Sequence, residues 1–275
     1  MGEPLTPTTF VHEMRPALRQ AAAIARALEG RVQNEPKPGE TRAAKAALTI
    51  ADTAAQEAIL VPLFERWPEL CIEAEEDTAT AALFPRTGPA LVVVDPIDGT
   101  LHSYLGRRGP YAVIVGLAIE ERYEGGLVAL PREGLILDAA RGEGACLAIG
   151  DHPPGPARCD GSGNRVLVSP ELPEPILEAL RAAGLEPKAA AGGAIAVAPV
   201  LPGVRAGLRL APGNRSISTR GRIGILIARE AGARALGADG EPFPDDLTTP
   251  APALAIAAEG DPVLSDLLAA LKQGN

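Results

Sequence analysis

The chain has 275 residues, of which 46% are hydrophobic and 22% are charged, a composition that excludes the disordered and fibrous classes. Its 26 basic and 35 acidic residues give a formal net charge of −9. We therefore expect no nucleic-acid polymer as a partner, because such a partner requires a basic surface. A small phosphorylated molecule is compatible with this charge if a bound metal ion attracts it locally.

The sequence also predicts where the protein resides. Its three cysteines, Cys71, Cys146 and Cys159, are an odd number without metal-ligand spacing, which argues against a disulfide framework and favours the cytoplasm. The first residues lack a basic region followed by an apolar segment, so we expect no secretory signal. The longest apolar stretches, 111–119 and 189–204, are too short or too interrupted to span a bilayer, and we expect no membrane insertion.

Helices and closely spaced strands are predicted for the first half of the chain. Apolar residues at helical spacing predict a helix over 8–28 and a second from about 49 to 67, separated by a polar, proline-containing loop. Short β-rich runs separated by turn residues then predict a largely antiparallel sheet. These runs are 70–74, 90–95, 111–119, 123–130, 134–138 and 145–149.

The pattern changes after a Pro/Gly-rich loop at residues 151–163. Strands and helices alternate beyond it, which is typical of an α/β arrangement. The predicted elements are a strand at 165–169, a helix at 174–183, a small-residue segment at 189–200, a strand at 207–211, a helix at 222–231, a strand at 253–258 and a helix at 262–272. We therefore predict an N-terminal α+β subdomain over 1–150 and a C-terminal α/β subdomain over 151–275.

An acidic motif, Asp-Pro-Ile-Asp-Gly-Thr, follows the buried-strand pattern of residues 92–94. Asp95 and Asp98 flank a proline turn, and together with the carbonyl of Ile97 they offer hard oxygen ligands of the kind Mg²⁺ prefers. The motif alone is more often a solvated turn, because Asp, Pro and Gly are the usual turn residues.

Two further acidic groups favour a metal site. Glu75, in the run Glu-Glu-Asp at 75–77, ends the first predicted strand, so it lies beside Asp95 if those two strands are neighbours. Asp52 starts the second predicted helix, where it can orient a nearby hydroxyl.

Residues 95–100 resemble the signature of the inositol monophosphatase-like phosphatases, a superfamily that includes fructose bisphosphatases and bisphosphate nucleotidases. The resemblance extends over roughly residues 8–272, and its further matches are Gly-Pro-Tyr at 109–111, Glu75 with Glu76, Gly-Gly-Ala at 192–194 and Glu-Ala-Gly at 230–232. It implies a mixed α/β, layered αβαβα sugar-phosphatase fold, a homodimer and hydrolysis of a small phosphorylated metabolite such as an inositol phosphate, a nucleotide bisphosphate or a sugar phosphate.

The resemblance also implies roles for individual residues. Glu75, Asp95 and the Ile97 carbonyl are expected to hold one Mg²⁺, for which Mn²⁺ can substitute, and Asp95 with Asp98 to reach a second. Thr100, bonded to Asp52 and close to Glu75, is expected to activate the attacking water. The substrate contacts are expected from Asp98, Gly99, Thr100, Gly193, Ala194 and Arg220.

Arg220 departs from the family pattern. Counting back from 230–232 places Thr219 and Arg220 where the family has Trp-Asp, and that Asp completes the second metal site. An arginine cannot ligate Mg²⁺; we expect it to pair with Asp98 or with substrate phosphate, in a region that also contains Arg205, Arg209, Arg215 and Arg222.

Several interpretations of this departure remain open. The enzyme works with fewer ions, which we favour because the other acids and Thr100 remain, or Asp239 or Asp245 replaces the missing ligand. Alternatively, the protein binds phosphate compounds without hydrolysing them. A haloacid-dehalogenase-type phosphatase, also suggested by Asp-Gly-Thr-Leu at 98–101, needs a nucleophilic aspartate two residues before Asp98, where this chain has Pro96.

Overall fold

The computed structural model describes residues 4–35, 37, 48–211, 213 and 215–274. Within these ranges the chain forms six α-helices and twelve β-strands. The helices are α1 (Pro7–Leu28), α2 (Ile50–Arg66), α3 (Glu174–Ala182), α4 (Gly192–Ala196), α5 (Ile223–Glu230) and α6 (Val263–Leu271). The strands are β1 (Cys71–Ala74), β2 (Leu91–Asp98), β3 (Ala112–Ile119), β4 (Arg122–Leu130), β5 (Leu135–Ala140), β6 (Ala145–Ile149), β7 (Gly155–Pro156), β8 (Arg165–Val168), β9 (Glu186–Ala189), β10 (Ala206–Leu210), β11 (Ala233–Leu236) and β12 (Ala253–Ala258).

The strands form two sheets. The first has seven strands in the order β1 to β7, in which β1 pairs parallel to β2 and the remaining pairs are antiparallel. The second has the order β11-β12-β10-β8-β9, with β8 parallel to both β9 and β10. The largely antiparallel first sheet and the α/β second sheet are therefore confirmed.

Alternating side chains along the strands create three hydrophobic cores. On β2, Val92 and Val94 face α1 and α2, whereas Val93 faces the opposite core together with residues of α4, α5 and the second sheet. The outer face of the second sheet packs against α3 and α6. The order of layers is thus α1/α2, first sheet, α4/α5, second sheet, α3/α6, which confirms the mixed α/β, αβαβα fold class.

A buried ion pair fixes α1 to the first sheet. Arg15 on α1 donates from Nε and Nη2 to the two carboxylate oxygens of Asp138 on β5, both at 2.8 Å. Asp138 is 2% exposed, so this bidentate contact supplies the partner that a buried carboxylate requires.

The structure adds elements that the sequence patterns did not predict. Strands β7, β9 and β11 are short and end at loops, and the small-residue segment contains the five-residue helix α4 followed by a 3₁₀ turn. The first sheet ends at Pro156 and the second begins at Arg165; the division into two subdomains stays a prediction. None of the helices in the described ranges combines the length and apolar character needed to cross a membrane.

Candidate active site

The parallel pairing of β1 with β2 brings the acidic residues together. Ala74 is the partner of Val94, so the next residue on each strand, Glu75 and Asp95, leaves the same edge of the sheet. Both line a cavity of about 140 Å³. The complete lining is Glu75, Asp95, Ile97, Asp98, Gly99, Thr100, Leu101, His102, Ser218 and Arg220.

The turn after β2 positions Asp98 and Thr100. The pairing of β2 with β3 is irregular between Asp95 and Asp98, and Gly99 then adopts φ 90°, the left-handed region that favours glycine. A Cβ atom at Gly99 would lie 2.7 Å from the Cβ of Ala191, which is another reason for glycine here. A π-helical turn over Thr100–Leu105 begins at this point.

Asp52 reaches the site from the start of α2. Its carboxylate accepts hydrogen bonds from the backbone N–H and hydroxyl of Thr49, at 2.8 and 2.7 Å, within a capping box. Thr100 Oγ1 lies 3.1 Å from Asp52 Oδ1 and 2.8 Å from the Ile97 carbonyl oxygen. Both partners are acceptors, so the hydroxyl proton is committed to them and an Oγ1 lone pair is left to accept a hydrogen bond from the cavity. Burial raises the pKa of Asp52.

Glu75 is held through its neighbour. The side chain of Gln56, buried on α2, donates from Nε2 to the Glu76 carbonyl at 2.7 Å and accepts from the Glu76 N–H at 2.9 Å. Lys37 Nζ lies 2.7 Å from a carboxylate oxygen of Glu76 and 3.8 Å from one of Glu75. Sequence reasoning missed both Gln56 and Lys37, because nothing in their local pattern indicates this contact.

Arg220 lies among these acids. Its Nη1 is 2.9 Å from Glu75 Oε2, and its Nε is 3.9 Å from Asp95 Oδ2. The preceding residue, Thr219, is anchored by its hydroxyl, which donates a hydrogen bond to a carboxylate oxygen of Glu73 at 2.7 Å. Burial opposes the Arg220 charge, but the Asp95 and Glu75 carboxylates outweigh burial and raise the pKa of Arg220. The partner is thus Glu75 rather than Asp98, which corrects the expected pairing.

Asp95 carries the least compensated charge of the site. It is buried, and its Oδ1 has no hydrogen-bond partner in the described structure. Burial raises the pKa of Asp95 well above its ordinary value, and repulsion from Glu75 and Asp98 adds to that shift. An orphaned buried carboxylate oxygen is an unfavourable arrangement that a cation would relieve.

The donor chemistry fits one hard divalent cation beside Asp95. Carboxylate oxygens of Glu75 and Asp95 and the Ile97 carbonyl are the ligand types that Mg²⁺ takes. In the described ranges, however, no three Asp, Glu, His or Cys side chains form a ready metal cluster. Arg220 occupies one carboxylate oxygen of Glu75. The residues present therefore fit fewer ions than a site with an acid at position 220.

The predicted substrate residues of α4 lie in different environments. The Gly193 N–H donates to Asp98 Oδ2, and it thereby ties α4 to the acidic motif. Burial raises the pKa of Asp98. The charge of Arg209 and the hydrogen bond from Gly193 oppose this increase. Ala194 is fully buried in the core between the sheets, and it is Gly192 that lines a second cavity beside Asp98.

The other residues proposed near Arg220 have separate partners. Arg205 pairs with Asp261 at 2.8 Å, and Arg222 is buried with backbone carbonyls as acceptors. Asp245 pairs with Arg229 and Arg141, and Asp239 caps its own turn by accepting from the Glu241 N–H at 3.0 Å. Neither aspartate lines the acidic cavity, so replacement of the missing ligand by Asp239 or Asp245 is not what the structure has.

Comparisons with known proteins agree with this fold. The sequence profile of the inositol monophosphatase family matches residues 11–180. Inositol monophosphatase 2 of Rattus norvegicus and of Mus musculus are each 32% identical over 130 residues, covering 47% of this chain and 43% of the relative. The chain thus matches less than half the length of these curated relatives.

Solved structures share the fold over almost the whole chain. The extragenic suppressor protein SuhB of Bartonella henselae aligns with a TM-score of 0.73 at 19% identity, covering 97% of this chain and 100% of that one. SuhB of Mycobacterium tuberculosis gives 0.67 at 22% identity, with 99% of each chain covered. An inositol monophosphatase/NADP phosphatase complexed with NADP and Ca²⁺ gives 0.69 at 19% identity, with 96% of each covered.

These findings define a phosphatase-fold protein with an acidic cavity at the end of β2. The chain belongs to the inositol monophosphatase family. Membership excludes the haloacid-dehalogenase interpretation, in agreement with Pro96 at the position of the required nucleophile.

The incompletely compensated charge of Asp95 predicts a gain in stability when that carboxylate is removed. Because folding raises the pKa of Asp95, the ionised carboxylate destabilises the folded chain, and this effect grows as the pH rises above the ordinary range of an aspartate. We expect Asp95→Asn to raise the free energy of unfolding by about 1–3 kcal/mol at pH 8 in EDTA, and by less at pH 4. Urea denaturation measures both values.

Asp138→Asn is the matched control, since its carboxylate is also buried but is paired with Arg15. This variant should lose stability at pH 8. An Asp95→Asn protein that is less stable than the wild type at pH 8 in EDTA would contradict the assignment of Asp95 as the least compensated charge of the site.

Proposed function

We propose that this chain is a Mg²⁺-dependent phosphomonoesterase that hydrolyses a small phosphorylated metabolite with a metal-activated water. The observation that carries the proposal is the Thr100 hydroxyl, held by Asp52 and the Ile97 carbonyl at the edge of a cavity with Asp95 and Glu75. Family membership supports the same reaction class.

Glu75, Asp95 and the Ile97 carbonyl would hold the ion, and Mn²⁺ would substitute for Mg²⁺. A bound ion of this kind lowers the pKa of water and neutralises charge on the phosphoryl and leaving-group oxygens. Thr100 Oγ1 accepts a hydrogen bond from the attacking water and so orients it, while Asp52 keeps the hydroxyl proton directed away from the cavity. The N–H groups at Gly99 and Thr100 lie at the start of a helical turn, which supports a role for them in holding phosphate.

Arg220 takes part in this site as a fixed positive charge. Its guanidinium lies on Glu75, where it balances the acids and can bind a phosphoryl oxygen, so the enzyme works with fewer ions than an Asp at this position would allow. Asp98, which accepts a hydrogen bond from the Gly193 N–H and lines the acidic cavity, would contact the substrate. We further propose a homodimer in the cytoplasm, with the free thiols of its cysteines suited to a reducing compartment; sedimentation equilibrium showing a monomer would overturn the dimer.

Loss of the Thr100 hydroxyl tests the water-activating role. We expect the wild type to release phosphate from a phosphomonoester panel only with Mg²⁺ or Mn²⁺, and Thr100→Ala to lower kcat by about 10²-fold, the usual contribution of a positioned proton-transfer group. Malachite-green detection of phosphate measures both.

Thr100→Ser retains the hydroxyl and should keep most of the activity. Thr53→Ala is the control outside the acidic cavity, because among the described residues the Thr53 hydroxyl donates to the Ile50 carbonyl within α2, at 3.1 Å. Binding of phosphate compounds by calorimetry without release from any panel member would favour the non-catalytic interpretation and overturn the proposed reaction.

Exchange of Arg220 tests the number of ions. We expect calorimetric titration with Mn²⁺ to give one ion per wild-type chain and two per chain of Arg220→Asp, because the substitution frees Glu75 and adds a carboxylate ligand. Arg215→Asp, at an exposed arginine outside the acidic cavity, should keep one ion. Two ions bound by the wild type would contradict this role of Arg220.

A further inference from the structure

A second cavity adjoins the acidic one. Its volume is about 440 Å³, and it shares Asp98, Gly99 and His102 with the acidic cavity, so a molecule with its phosphate at the motif would extend into it. Most of its remaining walls are apolar or small. They include Pro170, Pro173, Ala190, Ala191, Ile195, Leu210 and Ala211.

Arg209 on β10 is the cationic side chain in this lining. Its guanidinium lies between Gly192 and Gly221: a Cβ atom built on either glycine would come within 2.4 or 2.2 Å of Arg209 Nη1. Both positions therefore require glycine for the arginine to reach this place. The guanidinium thus lies against two backbone segments, and it donates to one of them, at the Gly221 carbonyl.

The donors of Arg209 are largely unused. Its hydrogen bond within the described structure runs from Nη1 to the Gly221 carbonyl at 3.2 Å, and no carboxylate of the described residues lies within ion-pair distance. Burial lowers the pKa of Arg209, and the nearby carboxylates of Asp98 and Asp95 oppose that shift. A partly buried guanidinium has five N–H donors, so most of them remain available to a ligand in the cavity.

The other charges around the cavity limit what it can accept. Asp98 lies toward the acidic cavity, and at the rim Glu171 Oε1 is 3.3 Å from His102 Nε2. Asp98 therefore lies at one side of the second cavity and Glu171 at its rim. An anionic group placed at the apolar wall meets Arg209 first.

We propose that this cavity binds the alcohol part of the substrate and that Arg209 recognises an anionic substituent on it. The substrate class is thus a phosphomonoester with a largely apolar skeleton and a second anionic group, a carboxylate or a second phosphate. Apolar walls bury the skeleton, and guanidinium N–H groups pair with the anion. Hydrolysis of such a substrate rests on the proposed function, whereas its binding in this cavity does not.

Matched aromatic phosphomonoesters test the inference. Carboxyphenyl phosphates are compared with carbamoylphenyl phosphates of the same shape, as ortho, meta and para isomers, with Mn²⁺ present. We expect at least one carboxylate isomer to show a KM about tenfold to 100-fold below its amide, the value of a charge-assisted hydrogen bond. In Arg209→Gln this ratio should fall to near one, and Arg209→Lys should restore part of it.

Arg215→Gln, an exposed arginine outside this cavity, should retain the wild-type ratio. Equal KM values for acid and amide in the wild type, or a preference that survives in Arg209→Gln, would overturn the inference. Bisphosphorylated phenols in place of the carboxyphenyl series show which of the two anions is preferred.

Failure of the proposed function gives a different result. If no compound releases phosphate, calorimetric binding of the same acid and amide pairs still reports the preference. A preference that depends on Arg209 without turnover would support the cavity assignment and count against the phosphatase reaction.

Discussion

Repulsion among closely packed carboxylates is the constraint on which this site depends. Glu75 and Asp95 leave parallel strands side by side, and Asp98 follows after one irregular turn. Packing ionised acids this closely in a partly buried cavity is unfavourable unless cations compensate them. The compensation in this chain comes from Arg220 on Glu75, from Lys37 beside Glu76 and Glu75 and, at longer range, from Arg209 near Asp98. Asp95 keeps an orphaned oxygen, which is the place where an added cation would stabilise the fold most.

Buried hydrogen bonds from α2 fix the positions of the residues around these acids. The capping box of Thr49 and Asp52 fixes the carboxylate that contacts Thr100, and Gln56 fixes the backbone beside Glu75. These contacts are short and buried, so the acids stay in place although they repel one another. Repulsion among the acids destabilises the folded chain, and the hydrophobic cores on both sides of the first sheet offset this cost.

Much of this arrangement could be predicted from the sequence because local patterns encode it. The three-valine run at 92–94 predicts a buried strand, and Glu75 at the end of a preceding β run comes to lie beside Asp95 as expected. The contacts of Arg220 could not be read in the same way. They depend on the 3₁₀ turn at Arg220–Arg222 and on Thr219 bonding to Glu73, which are tertiary features. The place of Arg209 depends on two glycines distant from it in sequence, Gly192 and Gly221, so no local motif indicates it.

In the phosphatase centre that we propose, Arg220 stands where the family pattern has a metal-binding acid. Diffraction from crystals soaked with Mn²⁺ and phosphate, recorded at the manganese absorption edge, tests it most directly. We expect one anomalous peak beside Asp95 and the Ile97 carbonyl, phosphate at the N–H groups of Gly99 and Thr100, and Arg220 still on Glu75. Two peaks with Arg220 displaced, or no peak beside Asp95 at saturating Mn²⁺, would contradict it.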